Sequence, residues 1–250
     1  MSSTTTADGL EPSQHTAATV AGFLYLFTMA TAIFSEVFVR GRLIVPGDAV
    51  LTAQNIAASE QLFRIGIAVD LVTFASVAML VWALYVVLSP VSRHLALLAA
   101  FLRLAETAVA AGAAVNAFFA VRLLSGATYL EAFDAGQLEA LARLFVTGQG
   151  FGLQIAFVFL GLGSAVYSWL WFESRYIPQE LAAWGIFASL LLYLGALFVI
   201  VFPEPWRAAG YAWMAPMAIY EVGLGLWLLT RGIQLKRITD APRPAAVGHA

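Results

Sequence analysis

The fold is decided by apolar runs such as residues 178–201, which read PQELAAWGIFASLLLYLGALFVIV. No charged residue lies between Leu181 and Val201. A helix of about 20 apolar residues is long enough to cross a bilayer core about 30 Å thick. The prolines at 203 and 205 end the run, because proline cannot continue a helix interior. The run therefore predicts a transmembrane helix.

Five more runs of this kind indicate transmembrane helices over residues 17–39, 62–88, 94–124, 135–172 and 211–230. The third and fourth helices are too long for the hydrocarbon layer alone, because each residue adds about 1.5 Å. Their facing ends, from Arg122 to Arg143, are expected to project beyond the membrane. The predicted fold class is all-α, a polytopic membrane bundle of six transmembrane helices within residues 17–232.

Composition also indicates that lipid is the solvent of this chain. Hydrophobic residues make up 61% of the 250 residues and charged residues 11%, whereas a soluble domain carries about 25% charged residues. The net charge of -2 gives no basic field for nucleic acid. The chain has no cysteine and only three histidines, His15, His94 and His249. We therefore expect no metal site and no cofactor.

The segments outside the spans indicate disordered tails, two helix caps and the orientation in the membrane. Residues 1–16 and 233–250 are predicted to be disordered tails. Asp48 is a suitable N-cap for a short interfacial helix through Ala58, and Asp134 with Gln137 resembles a capping box. Arginine and lysine predominate on the side of the two termini. We expect both termini to be cytoplasmic and the membrane to be the plasma (inner) membrane.

Four charged residues in three spans are the candidate functional residues: Asp70, Arg103, Glu106 and Glu221. Counting along each helix puts them in one layer, slightly outside the midplane. Charges at this depth are costly and mark functional sites by default. A structural network that holds the helices together explains the same residues equally well.

The charges in this layer do not balance. Arg103 and Glu106 are three residues apart and can pair on one helix face, but one cation faces three acids. Arg103 can hold two carboxylates through its five donors, so the third acid must bind a proton, reach Arg64 or meet an external cation. We expect at least one acid to exchange its proton near neutral pH. Glu36, Arg64 and Gln154 are possible partners at the rim, although rim charges can also extend to water.

The fourth span is rich in glycine. A phosphate-binding loop is not expected, because these glycines enter a helix rather than follow a strand. Close helix packing is the simpler interpretation. It applies to Gly148, Gly150, Gly152, Gly161 and Gly163.

Several motifs resemble those of a known family. They are Phe38-Val39-Arg40, Leu43–Ala49 (LIVPGDA), Glu60–Gly66 (EQLFRIG) with Asp70-Leu71, Leu95–Arg103 (LALLAAFLR), and Tyr129-Leu130 through Gln137-Leu138. In these the chain resembles domain of unknown function 4386, over roughly residues 17–232. The resemblance implies an all-helical membrane protein and supplies no activity, cofactor or residue role.

Three functions stay open at this point. The first is a small-molecule or proton-coupled transport or binding protein that uses the buried acids and Arg103. The second is a non-catalytic membrane scaffold or accessory subunit. The third is an intramembrane lipid-modifying enzyme, which we place last because the spans offer no nucleophile or metal. The only partner that the sequence indicates is the lipid bilayer.

Overall fold

The computed structural model describes residues 12–125, 127, 130, 132–202 and 212–234. Within them the chain forms seven long or medium α-helices and no β-strand. The first continues through a π-helical turn, Phe34–Arg40, and a last turn, Gly41–Leu43. The helices are α1 (Pro12–Ile33), α2 (Ala49–Ala58), α3 (Glu60–Leu88), α4 (Arg93–Leu123), α5 (Ala135–Ser174), α6 (Gln179–Val201) and α7 (Ala215–Thr230).

Every helix except α2 belongs to a stretch that is long and apolar enough to cross a membrane. Large apolar side chains such as Trp82, Phe101 and Phe151 lie on the outside of the bundle, where a soluble protein would carry charges. The predicted all-α bundle of six transmembrane helices is confirmed. The chain is an integral membrane protein.

The helix ends differ in places from the predicted spans. α1 begins at Pro12, so residues 12–16 are helical although we had assigned them to a disordered tail. Gln14 is buried there, and its Nε2 donates to the carbonyl oxygen of Val87 at 3.1 Å. At the other end Ile233 is buried in the core. Tyr211, residues 203–205 and the rest of both predicted tails lie outside the described residues.

Both predicted caps are confirmed. The Asp48 side chain accepts a hydrogen bond from the Leu51 N–H at 2.9 Å and begins α2. At the start of α5, Asp134 accepts from the Gln137 N–H at 2.8 Å, and the Gln137 side chain accepts from the Asp134 N–H at 3.2 Å. These bonds satisfy backbone donors that have no partner inside the helix.

The six long helices form a closed ring. Each contacts the next along the chain, and α7 contacts α1. Glycine makes the closing contact possible, because a Cβ on Gly22 would lie 2.9 Å from the carbonyl oxygen of Gly225. The short α2 packs against α5, where Ile56 joins a small core with Val39 and Val146. The ring thus encloses an interior that side chains from every long helix can reach.

Of the five glycines predicted to pack closely on α5, four lie against a neighbouring helix. A Cβ on Gly161 would lie 2.7 Å from the backbone nitrogen of Tyr193, and one on Gly152 would lie 2.4 Å from the Cβ of Ala113. Gly148 lies against Asn116. Gly150 is the exception, because it is exposed and a Cβ there would meet nothing within 4 Å. The prediction that Gly150 allows close helix packing is wrong.

Candidate functional site

Arg103 is the centre of the first charged site. It lies on α4 and is only 4% exposed. Its Nη1 is 2.9 Å from Oε2 of Glu106, one turn further along the same helix. The predicted pairing of these two residues is present in the structure. The ion pair is shielded from bulk water, because the Glu106 side chain is only 13% exposed.

The position of Arg103 depends on a glycine on the neighbouring helix. A Cβ at Gly163 on α5 would lie 2.8 Å from Cγ of Arg103 and 3.1 Å from its Cδ. The aliphatic part of Arg103 therefore rests directly on the α5 backbone. Gly163 provides the space that the guanidinium needs to reach the interior.

Glu221 brings a second carboxylate to Arg103 from α7. It is half-buried and interacts electrostatically with both Arg103 and Glu106. It forms no ion pair within 4 Å and no hydrogen bond among the described residues. The structure therefore brings together one guanidinium and two carboxyl groups, of which only one is in direct contact with the guanidinium.

Two buried tyrosines complete the Arg103 group, which consists of Tyr25, Arg103, Glu106, Tyr167 and Glu221. Tyr25 on α1 interacts electrostatically with Arg103 and Glu221, and Tyr167 on α5 interacts with Arg103. Four helices thus contribute to the group. The sequence did not single out these tyrosines, because tyrosine is common in transmembrane helices near the membrane surface. Only the ring of helices brings them to Arg103.

Asp70 belongs to a different site. Nη2 of Arg40 donates to Oδ2 of Asp70 in a short ion pair. Nη1 of Arg40 donates to Oγ of Ser35 at 3.0 Å and to Oε2 of Glu36 at 3.3 Å. Gln149 on α5 donates through Nε2 to Oδ2 of Asp70 at 3.5 Å. We call these five residues the Arg40 group.

The π-helical turn explains how Arg40 reaches Asp70. It contains Ser35, Glu36 and Arg40, and its wider turns change the direction of side chains relative to an α-helix. Oγ of Ser35 donates to the carbonyl oxygen of Gly66 on α3 at 3.3 Å, which ties the turn to that helix. The side chain of Arg40 is mostly buried in this arrangement.

The predicted single layer of charges is therefore two sites. Gln149 contacts Asp70 and Gly163 contacts Arg103, and these two positions are about 20 Å apart along α5. Asp70 is paired with Arg40 and not with Arg103. Counting residues gave a depth for each charge separately, but it did not give the tilt of the helices or the reach of long side chains.

The three possible rim partners have different surroundings. Glu36 belongs to the Arg40 group. Arg64 is exposed and pairs with Glu60 at 2.6 Å, so it does not compensate the buried acids as we had allowed. Gln154 lies on α5 between the two sites, and its Oε1 is buried with no hydrogen-bond partner among the residues described.

A ring of six apolar helices with charged side chains inside it defines a polytopic membrane protein of the helical-bundle class. The chain belongs to the family described as Domain of unknown function (DUF4386), whose model matches residues 20–232. This match confirms the resemblance drawn from the sequence motifs. No curated protein and no solved structure matches the chain. The family supports the fold and assigns no activity.

The pairing of Arg40 with Asp70 gives a prediction for stability. We expect Arg40→Gln to lower the free energy of unfolding by about 1–3 kcal/mol, because it leaves the buried Asp70 carboxylate without its cation. Arg42→Gln is the matched control, since Arg42 lies two residues away and is exposed. It should change stability by less than about 0.5 kcal/mol. Denaturant titration in detergent measures both, and equal losses would show that the buried pair has no special role.

Proposed function

We propose that the protein is a membrane transport or binding protein in which the Arg103 group binds a proton together with a small solute. The observation that supports this proposal is the uneven charge of the group. Within the part of the chain that the structure describes, Arg103 has one direct partner, Glu106, while Glu221 has none within ion-pair distance. Two ionised carboxylates would leave one negative charge uncompensated at membrane depth.

Such a charge is unfavourable in hydrocarbon and is normally balanced by a proton, a cation or a partner. Glu221 is the group on which a proton would be bound, because Glu106 already contacts the guanidinium. Arginine carries five N–H donors and can hold two carboxylates. An anionic solute could therefore approach Arg103 when Glu221 is protonated, which would couple the two binding events.

A scaffold function is favoured by one specific observation, the complete pairing of the Arg40 group. There Arg40 contacts Ser35, Glu36 and Asp70, and such networks hold helices together without any further activity. A scaffold needs the same completeness in the Arg103 group, where Glu221 has no direct partner among residues 12–125, 127, 130, 132–202 and 212–234. A structural role of this kind is therefore supported for the Arg40 group and not for the Arg103 group.

Infrared spectroscopy of the carboxyl band tests the proposal. We expect wild-type protein to show a change in this band between about pH 5 and pH 8, because one group in the Arg103 site exchanges its proton there. Glu221→Gln should abolish the change. Glu180→Gln is the control, since Glu180 is exposed in the first turn of α6. A band that titrates identically in wild type and Glu221→Gln would refute the proposal.

The orientation in the membrane is part of the same proposal. We infer that the two termini face the cytoplasm and that the protein resides in the plasma (inner) membrane. Arg93, Arg175 and Arg231 support this arrangement, because they lie at the helix ends on the side of the termini. The Arg40 group then lies nearer the outer surface and the Arg103 group nearer the centre.

A further inference from the structure

α1 and the π-helical turn that continues it carry a row of hydroxyl groups on one face. Tyr25, Thr28, Thr31 and Ser35 follow one another at intervals of three or four residues, so they lie on the same side of the helix. Tyr25, Thr28 and Ser35 are buried, although they are polar and most residues of this helix are apolar. The row extends about 15 Å along the helix axis.

α3 carries a matching row. Asp70, Thr73 and Ser76 are each three residues apart and are all buried. The two rows meet where Thr73 and Thr31 form a hydrogen bond, with 2.8 Å between their Oγ1 atoms. The contact of Ser35 with the Gly66 carbonyl joins the same two helices closer to the Arg40 group. We call Tyr25, Thr28, Thr31, Ser35, Thr73 and Ser76 the hydroxyl seam.

The two ends of the hydroxyl seam lie in the two charged groups. At one end Ser35 accepts a hydrogen bond from Arg40, which also holds Asp70 and Glu36. The Glu36 side chain is 36% exposed, so this end reaches the surface of the protein. At the other end Tyr25 packs against α7, because a Cβ on Gly225, one turn from Glu221, would lie 3.1 Å from the Cβ of Tyr25. Tyr25 also interacts electrostatically with Arg103 and Glu221. The seam thus connects the Arg40 group with the half-buried Glu221, which has no direct partner among the described residues.

We propose that the hydroxyl seam is the path along which a proton passes between Asp70 and Glu221. This inference rests on the proposed function and adds the route and the side from which the proton enters. The charged and titratable groups at the entry are Arg40 and Glu36, and those around Glu221 are Arg103, Glu106, Tyr25 and Tyr220. Each hydroxyl on the path takes up one proton and gives up its own, so the seam itself is unchanged.

The hydrogen bonds of the seam allow this transfer. Thr73 has two acceptors within reach of its single hydroxyl hydrogen, the Val69 carbonyl oxygen and Oγ1 of Thr31, both at 2.8 Å. Thr31 likewise reaches the Phe27 carbonyl oxygen at 3.0 Å. Each hydroxyl can therefore turn between its own helix and its neighbour. Side chains one turn apart are about 5–6 Å from each other, a gap that one bridging water spans.

A simpler explanation is that these hydroxyls only satisfy carbonyl groups of their own helices. Thr28 donates to the Leu24 carbonyl oxygen and Ser76 to the Val72 carbonyl oxygen, each at 2.8 Å, as threonine and serine commonly do in helices. This explanation covers each residue separately. It does not explain why the two rows face each other and end at the two charged groups.

The experiment compares the rate and the extent of protonation at Glu221. The variant is Thr31→Val with Thr73→Val, which keeps the shape of both side chains and removes the hydroxyl pair. The control is Thr147→Val on α5, whose hydroxyl donates to the Arg143 carbonyl oxygen at 2.9 Å outside the seam. The carboxyl band of Glu221, identified with Glu221→Gln, is followed in reconstituted vesicles after a pH jump.

We expect the double variant to slow protonation by about tenfold or more, as for any added barrier in a transfer step, and to leave the equilibrium titration unchanged. The variant with serine at positions 31 and 73 should restore the rate, because it restores both hydroxyls. If the double variant does not fold, a wild-type rate in Thr73→Val alone would overturn the route. If wild type shows no Glu221 band at all, the proposed function fails. A band that titrates at the wild-type rate in the double variant contradicts only the seam.

Discussion

Replacement of Arg103 by Ala is expected to lower the free energy of unfolding by about 3–5 kcal/mol, because it leaves buried carboxylates without their cation. Glu106 would lose its direct partner at 2.9 Å and Glu221 its nearest positive charge. The loss should shrink as the pH falls, since protonation then removes the uncompensated charge. Denaturant titration in detergent at several pH values measures both effects.

The double variant Arg103→Met with Glu106→Gln is the control for this prediction. It removes the pair together and keeps side chains of similar size, so it should be more stable than Arg103→Ala. Arg103→Met alone is measured beside it, because the two proteins share the methionine and differ only in whether Glu106 keeps an unpaired charge. Equal stability of the two proteins at neutral pH would contradict the expected role of Arg103 as the counter-ion.

Gly161→Leu is expected to cost about 3 kcal/mol or more, because a side chain at this position meets backbone rather than a movable side chain. A Cβ there would lie 2.7 Å from the nitrogen and 2.8 Å from Cα of Tyr193 on α6. Relief of this clash requires α5 and α6 to separate. The apparent melting temperature in detergent reports the change.

Gly150→Leu on the same helix is the matched control. Gly150 is exposed and a Cβ there would meet nothing within 4 Å. Leucine should be neutral or favourable by up to about 1 kcal/mol, since it has the higher helix propensity. If both substitutions destabilise the protein equally, close packing at Gly161 is not the cause.

The helices could be predicted from the sequence because each one is encoded locally. A run such as Leu181–Val201 can be recognised as a transmembrane helix by its length and hydropathy. The Asp134 capping box fixes the start of α5 within a few residues. The pair Arg103–Glu106 was also predictable, since both residues lie on one helix. Nothing in these inferences requires knowledge of a neighbouring helix.

The pairing between helices could not be predicted in this way. Asp70 was expected beside Arg103, but the π-helical turn brings Arg40 to it instead. Depth along a span says nothing about which neighbour a side chain faces, and an arginine side chain reaches across more than one helical turn. The contribution of Tyr25 to the Arg103 group likewise depends on which helix lies next to α1.

The contact between Gly22 and Gly225 joins the first long helix to the last, with consequences for biosynthesis. The ribosome synthesises α1 long before α7, so α1 lies in the bilayer without its contact to α7 until the last helix is inserted. Until then Arg103 has its direct partner Glu106 but not the second carboxylate, and Tyr25 has no Glu221 beside it. The interior of the bundle is therefore completed only after α7 has been synthesised. A chain that ended before α7 would form a bundle with an open side.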